Sequence, residues 1–311
     1  MRCPTLLELP QPPRGKKGWP WMEESPQLAD VMPGGDPWPK ISIVTPSYNQ
    51  GRFIEETIRS VLLQGYPDLE YIIIDGGSTD NSVEIIKKYD KWLTYWVSEP
   101  DRGQSHAINK GFEKASGEIY NWLNSDDYLL KDALKNVAMA YDASPEAGAW
   151  CGGALLVNED KKRLKLRPPK DLSTEGISRW SENSFQQSAC FFSDKAWQKC
   201  GHLDQSLHYA MDFDLWLKIV KTFPIEKVDY ILSSDHTHKN AKTQKDVGKM
   251  YAEVFLVQIH HGYEQLAIEE ISRWLDEYAS LEKSVAQLYR FPLAKPLISL
   301  ARNAWNKFLR Q

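Results

Sequence analysis

The 311-residue chain has four cysteines, Cys3, Cys151, Cys190 and Cys200, and no CxxC pair. No histidine stands at zinc-finger spacing from them, so a structural zinc module is excluded, and reduced thiols in a cytoplasmic protein are expected. An apolar run of about 18 residues, the length needed to span a bilayer, is also missing, as is a signal-peptide core at the N-terminus. Basic excess is lacking too: the formal charge is -4 and the pI about 6.0, so no nucleic-acid partner is expected. No GxGxxG follows a strand pattern, and there is no Walker loop, GxSxG or HExxH. The dinucleotide, P-loop, serine-hydrolase and zincin readings therefore lose their signatures.

What is present begins at Lys40. Residues 1–39 read as an arm rich in Pro, Gly and charge that is either disordered or packed through Trp19, Trp21 and Trp38. Core packing accounts for most of the twelve tryptophans. From Ile41 to Leu123, apolar β-prone runs alternate with helical spacing. The predicted strands cover 41–44, 69–74, 94–97 and 119–123, with helices around Ile54–Leu62, Val83–Ile86 and Ala107–Phe112. Such alternation implies an α/β fold with a mostly parallel, doubly wound sheet, and each polar loop after a strand falls on one edge. Later stretches predict a hairpin at Trp150–Val157 and Arg163–Leu166, and a strand at 186–192. A helix is expected from Met211 to about Lys221, a strand over Ile225–Leu232, and helix from Asp246 onward.

Carboxylates recur at the predicted edge: Asp75, Asp80, Asp101, Asp126, Asp127 and the later Asp212. The stretch Asn124-Ser125-Asp126-Asp127 ends an apolar strand in two adjacent carboxylates. That chemistry suits a hard cation shared with phosphate oxygens, although turn and N-cap duties fit the same residues.

Five segments, in order, resemble the inverting family 2 glycosyltransferases of GT-A fold. They are Val44-Thr45-Pro46-Ser47-Tyr48-Asn49, Ile74-Asp75-Gly76-Gly77-Ser78-Thr79-Asp80, Ser98-Glu99-Pro100-Asp101-Arg102-Gly103, Asn124-Ser125-Asp126-Asp127 and Asp212-Phe213-Asp214-Leu215-Trp216. The resemblance implies a GT-A domain over residues 40–245 and a helical extension over 246–311. It implies transfer of a sugar from a nucleotide sugar (UDP by default) to a glycan or lipid-linked hydroxyl acceptor, with Mg²⁺ or Mn²⁺. Surface polysaccharide synthesis is the expected setting, and a hexosyltransferase the expected enzyme class. Thr45, Pro46 and Tyr48 would lie against the nucleotide and Asp75 would accept a bond from base or ribose. Asp101 and Arg102 would line the ribose and diphosphate, and Asn124 and Ser125 also fall on the donor side. Asp126, last in the family's DxD motif, would meet the metal.

Asp212 would act as the base; capping a helix is its alternative role. His238, with Lys242 beside it, would complete the metal site, His236 being a near substitute. Gln186 and Gln187 would face the acceptor. Three departures stand out: Asn124 in place of the first Asp of the motif, Met211 in place of a Glu before Asp212, and His106 where relatives carry Asp. A nucleotidyltransferase would need a basic, Gly-rich phosphate loop, in which Thr45–Gly51 is poor. A catalytically silent nucleotide-sugar binder is the other rival.

From Lys283 to Gln311 the chain carries six basic residues and no acid, with apolar residues at helical spacing. Packing on the domain or on another subunit, and peripheral contact of 290–311 with an anionic membrane, both explain that pattern.

Overall fold

The computed structural model describes residues 1–158, 162–182, 185–237 and 246–288. Four parallel strands come first: β1 (Ile41–Ser47), β2 (Leu69–Asp75), β3 (Tyr95–Ser98) and β4 (Ile119–Trp122). Between them run α1 (Ile54–Leu62), α2 (Ser82–Lys88) and α3 (Gln104–Phe112). The second half adds β5 (Tyr128–Leu129), α4 (Ala133–Ala143), β6 (Ala149–Asn158), β7 (Arg163–Arg167), α5 (Thr174–Ser178) and β8 (Cys190–Ser193). After these come α6 (Asp194–Cys200), α7 (Met211–Val220), β9 (Ile225–Thr237), α8 (Val247–His260) and α9 (Glu264–Leu288). Among the described residues they form one sheet of order β3-β2-β1-β4-β8-β6-β9-β5, with β7 paired to β6.

Both faces of the parallel half are covered, so its strands are apolar on both sides. Side chains alternate: Ile41, Ile43, Tyr71 and Ile73 enter the core beneath α1, α2 and α4. Val44, Ile72 and Ile74 enter the opposite core with α3 and α7. Gly111 lets α3 approach β1 closely, since a Cβ there would sit 2.3 Å from Val44 Cγ1.

Three elements differ from the sequence reading. β1 runs three residues past Val44, to Ser47, because its parallel ladder with β2 continues to the Ser47–Asp75 pair. Residues 187–189 form a 3₁₀ turn, and the strand expected from 186 starts at Cys190. β9 continues past Leu232 to Thr237, paired throughout with β6, so Asp235 and His236 sit in a strand and not in a loop. Segments 128–129, 133–143, 174–178 and 194–200 also carry elements where the alternation loosens.

The N-terminal arm is packed against the domain. The Met1 amine donates to the Leu69 carbonyl at 2.7 Å, the Leu69 N–H donates back to Met1 at 2.8 Å, and Cys3 N–H reaches Tyr66 O at 2.8 Å. Arg59, fully buried, gathers the rest of the arm. Its guanidinium donates to the carbonyls of Pro20 at 3.1 Å, Pro10 at 2.8 Å and Trp21 at 3.1 Å. It also donates to the Tyr89 hydroxyl, which in turn donates to Glu55. The five fixed donors of a guanidinium suit such a cluster of carbonyls. All four cysteines are free, with Cys151 and Cys190 opposite one another across β6 and β8. Among the described residues no helix is long and apolar enough to cross a membrane, and the 290–311 segment lies outside them.

Replacing Arg59 by Ala strips two buried carbonyls, of Pro20 and Trp21, and the half-buried one of Pro10 of this donor, a buried acceptor left unsatisfied costing about 1–3 kcal/mol. We expect Arg59→Ala to lose about 3 kcal/mol or more in urea unfolding, with limited proteolysis cutting first within residues 1–40. An unchanged midpoint would show that the arm does not depend on Arg59.

Candidate active site

The register of the parallel strands decides what meets at the carboxyl edge. Ser47, Asp75 and Ser98 stand in one row across β1, β2 and β3, and Trp122 pairs with Val44 before β4 turns off. Beyond β1 the chain turns through Asn49, whose φ is +53°. Its amide oxygen accepts from the N–H groups of Thr79 at 2.8 Å and Asp80 at 3.3 Å, and its own N–H donates to Ser78 Oγ at 2.8 Å. The Asp80 carboxylate receives Gly51 N–H at 2.9 Å and both donors of Ser82. Burial opposes the charge on Asp80, but the bonds from Ser82 and Gly51 outweigh it and hold the carboxyl below its ordinary value. The first two loops thus form one braced surface, from which Tyr48 stands out with 61 % of its area exposed.

Thr45 and Pro46 are placed differently from expectation. Both are buried within β1, and the Thr45 hydroxyl bonds the buried Tyr71 hydroxyl at 3.1 Å, so this side chain faces the core. Asp75 is fully buried too. Its two oxygens accept from Gly77 N–H (3.2 Å), Ser78 N–H (2.8 Å), Ser78 Oγ (2.5 Å) and Ser98 Oγ (2.6 Å). A carboxylate offers about four lone-pair sites, so here Asp75 builds the loop that a nucleotide would meet. Asp101 accepts from Gly103 N–H at 2.7 Å and lies against Gly76, where a Cβ would come within 2.6 Å of its Oδ2. Exposed Arg102 donates from its guanidinium to Gln205 at 3.1 Å and from its N–H to His106 Nδ1 at 3.3 Å.

The stretch after β4 is the centre of the charge. Thr57 on α1 donates to the carbonyls of buried Ser125 at 3.0 Å and Asp127 at 2.6 Å, fixing the backbone. Asn124 accepts from Gln104 Nε2 at 2.7 Å and donates its amide to Asp127 Oδ2 at 3.2 Å. The His236 N–H donates to the other oxygen of Asp127 at 3.1 Å, and His236 Nδ1 lies 2.6 Å from the Asp126 carbonyl. A carbonyl can only accept, so Nδ1 carries the proton and a neutral ring keeps its lone pair on Nε2. The ring is flanked by Phe53 and Tyr128, with centroids at 5.8 and 5.4 Å. Asp235, absent from the residues expected at the site, is hydrogen-bonded by Ser188. Burial first, then the charges of Asp235 and Asp126, push the Asp127 carboxyl well above its ordinary range. Burial likewise lifts Asp235, to about 6, against the opposing pull of Ser188 and Arg167.

Asp212 opens α7, half-buried, with Oδ1 accepting its neighbour Phe213 N–H at 2.8 Å. Gln187 donates to the carbonyl of Trp122 at 2.5 Å, closing the end of β4, while Gln186 turns back to the Phe185 carbonyl. His238 and Lys242 lie outside the described residues.

The family model described as glycosyl transferase family 2 matches residues 42–198, half of the chain. The chain belongs to that family. A Bacillus subtilis relative, TuaG, named for teichuronic acid biosynthesis, is 40% identical over 100 residues, covering 31% of this chain and 40% of its own. Among solved structures, residues 1–349 of S. aureus TarS with UDP-GlcNAc superpose with TM-score 0.55 at 18% identity, covering 75% of this chain and 72% of that one. The mannosyltransferase PcManGT of Pyrobaculum calidifontis, with GDP-Man and Mn²⁺, gives 0.55 at 18% identity over 94% and 92%. These likenesses establish the GT-A fold of this family 2 glycosyltransferase.

Its residues suit a cation held jointly with a diphosphate. Among the described residues no three His, Cys, Asp or Glu side chains form a ready-made cage. A Mg²⁺-type ion needs only one or two carboxylates when phosphate oxygens complete its shell. The mutual repulsion among Asp126, Asp127 and Asp235 is what such a charge would relieve.

The raised Asp235 carboxyl, lifted first by its burial and then by the Asp126 charge, sets a pH dependence. An unfolded Asp ionises near about 3.9, whereas Asp235 in the fold titrates at about 6. Between these values the native state holds the extra proton, so its stability falls as pH rises through that window. In EDTA, the contribution of Asp235 should fall by on the order of 2 kcal/mol as the pH rises from about 4.5 to about 7, read as the difference between wild type and Asp235→Asn. Asp235→Asn should flatten the curve; thermal melts read the difference, and parallel curves would disprove the assignment.

Proposed function

We propose that this family 2 glycosyltransferase is a metal-dependent inverting enzyme that moves a sugar from a nucleotide sugar to a hydroxyl acceptor. The observation that carries the proposal is the meeting of Asp126 and Asp127 with Asp235 and His236, across the sheet edge from the loops around Tyr48 and Asp101. Tyr48 offers an exposed ring beside the braced Asn49–Asp80 loops for the base. Arg102 and the Asp101 loop would flank the ribose and diphosphate. Asp126, the last residue of the motif, would hold Mg²⁺ or Mn²⁺, which when bound offsets charge on the departing diphosphate.

Asp212 takes the proton of the acceptor hydroxyl as its oxygen attacks the anomeric carbon in line. The bond from that carbon to the diphosphate oxygen breaks, and the product carries the opposite anomeric configuration. Positioned proton transfer of this kind contributes about 10²–10⁴-fold. UDP-GlcNAc in the TarS structure and GDP-Man in PcManGT support a nucleotide-sugar donor, and the Mn²⁺ of PcManGT supports a divalent ion. The name of TuaG, for teichuronic acid biosynthesis, supports a role in surface polysaccharide synthesis, in which the acceptor would be a glycan or lipid-linked hydroxyl. We place the enzyme in the cytoplasm, with 290–311 as the segment to test for membrane contact.

The test is hydrolysis of a panel of UDP- and GDP-sugars with Mg²⁺, Mn²⁺ or EDTA. Wild type should release nucleoside diphosphate from one donor. Chelation and Asp126→Ala should each lower the rate by about 10²-fold or more. Turnover that survives both would refute metal dependence, and donor binding without any turnover would favour a silent binder.

A further inference from the structure

The family match ends at residue 198, yet Asp212 and the elements that hold it follow that point. Just before α7, three consecutive backbone N–H groups converge on one side chain of α8. Glu253 Oε2 accepts from His208 at 2.9 Å, Tyr209 at 2.6 Å and Ala210 at 3.1 Å, and its Oε1 accepts from His208 at 3.0 Å. Successive N–H groups of this kind form an anion-binding concavity, filled here by the chain's own carboxylate. The Tyr209 hydroxyl adds a bond to Asp246, at the start of α8, at 3.2 Å.

The far side of α7 is held by His261, the residue that ends α8. Buried Asp214 accepts from His261 Nε2 at 2.8 Å and pairs with Lys218 at 2.6 Å, while Lys221 donates to the His261 carbonyl at 2.7 Å. α7 is thus fixed at both ends by groups from residues 246–261.

We infer that Glu253 is a positioning residue for Asp212, locking the backbone of 208–210 so that the first turn of α7 presents its carboxylate at a fixed place. The inference rests on Asp212 being the base. Glu253 is only partly buried, so water can satisfy the three N–H groups once the carboxylate is gone. Its loss should therefore loosen the loop more than it unfolds the protein. Misplacing a catalytic group by about 1 Å can cost about 10²-fold in rate.

The experiment compares Glu253→Gln, Glu253→Ala and Asp212→Asn in the full chain, with UDP-GlcNAc and GDP-Man as donor probes. Backbone hydrogen exchange over 206–216 supplies a readout independent of turnover. For both Glu253 variants, kcat should fall by about 10- to 100-fold, Ala more than Gln, with donor KM within about twofold. Melting should barely move, and exchange should quicken at 208–214 alone. Unchanged kcat in these variants, with Asp212→Asn inactive, would overturn the inference. So would a loss of rate that tracks a general loss of stability. Full turnover by Asp212→Asn would instead remove the base assignment, and the inference with it.

Discussion

β1 hydrogen-bonds in parallel register to β2 on one side and β4 on the other, and the position of every loop at the edge depends on that pairing. Because the side-chain period is two, a slip of one residue would exchange the Ile41–Ile43 face for the Val44 face and expose both cores. With the register fixed, the chain leaves β1, β2 and β3 at the same height, and the acidic turn after β4 lies beside them. Antiparallel pairing of Tyr128 and Leu129 with Ser234 and Ser233 then brings β9 alongside that turn. A carboxylate one residue before β5 and another one residue beyond the paired Ser234 are thereby forced together.

The price of that meeting explains the least expected residue of the motif. Asp127 is buried against two other carboxylates, and it lasts there by accepting from Asn124 Nδ2 and His236 N–H. An aspartate at 124 would remove the first donor and add a further negative charge. A carboxylate could still accept from Gln104, but only the amide can do so while also donating to Asp127. The amide is a weaker cation ligand but the better neighbour for a buried carboxylate. Asn124 therefore fits its surroundings electrostatically, whatever it cedes to Asp126 at the edge.

Much of this could be read from residue order, and the failures have physical causes. Apolar runs bounded by Gly and Asp located the parallel strands and their helices, since both sheet faces are buried and leave a continuous hydrophobic signal. Pro46 cannot donate to a ladder, which makes it unusual inside a strand. Yet Val44 bonds toward β4, through the Leu123 N–H, while Ser47 bonds toward β2, through the Gly76 N–H. Two residues beyond Val44, Pro46 points its missing N–H to the side that β4 has already left. Thr45 consequently belongs to the core. Asp235 and His236 were masked by composition: a polar run after an apolar strand looks like loop, whereas pairing with β6 extends it as strand. The polar run Ser233-Ser234-Asp235-His236, still alternating faces, was the signal available. The arm left two readings open because its apolar residues are scattered among Pro and Gly, and its packing rests on bonds to distant residues such as Arg59 and Leu69.

The family match covers residues 42–198, and the residues on either side of its end are supported in different ways. In this chain the division falls between α6 and α7. Upstream, side chains of the loops brace one another directly, as Asn49 and Asp80 do. Downstream, support comes from the C-terminal pair: Gln258 donates to the Ser178 carbonyl and to Glu270, and Glu270 accepts from the Ser181 hydroxyl. Arg273 pairs with Glu182, so the approach to Gln186 and Gln187 is tied to the same helices that hold α7. Helices outside the family match therefore contact both the segment carrying Asp212 and the segment leading to Gln186 and Gln187.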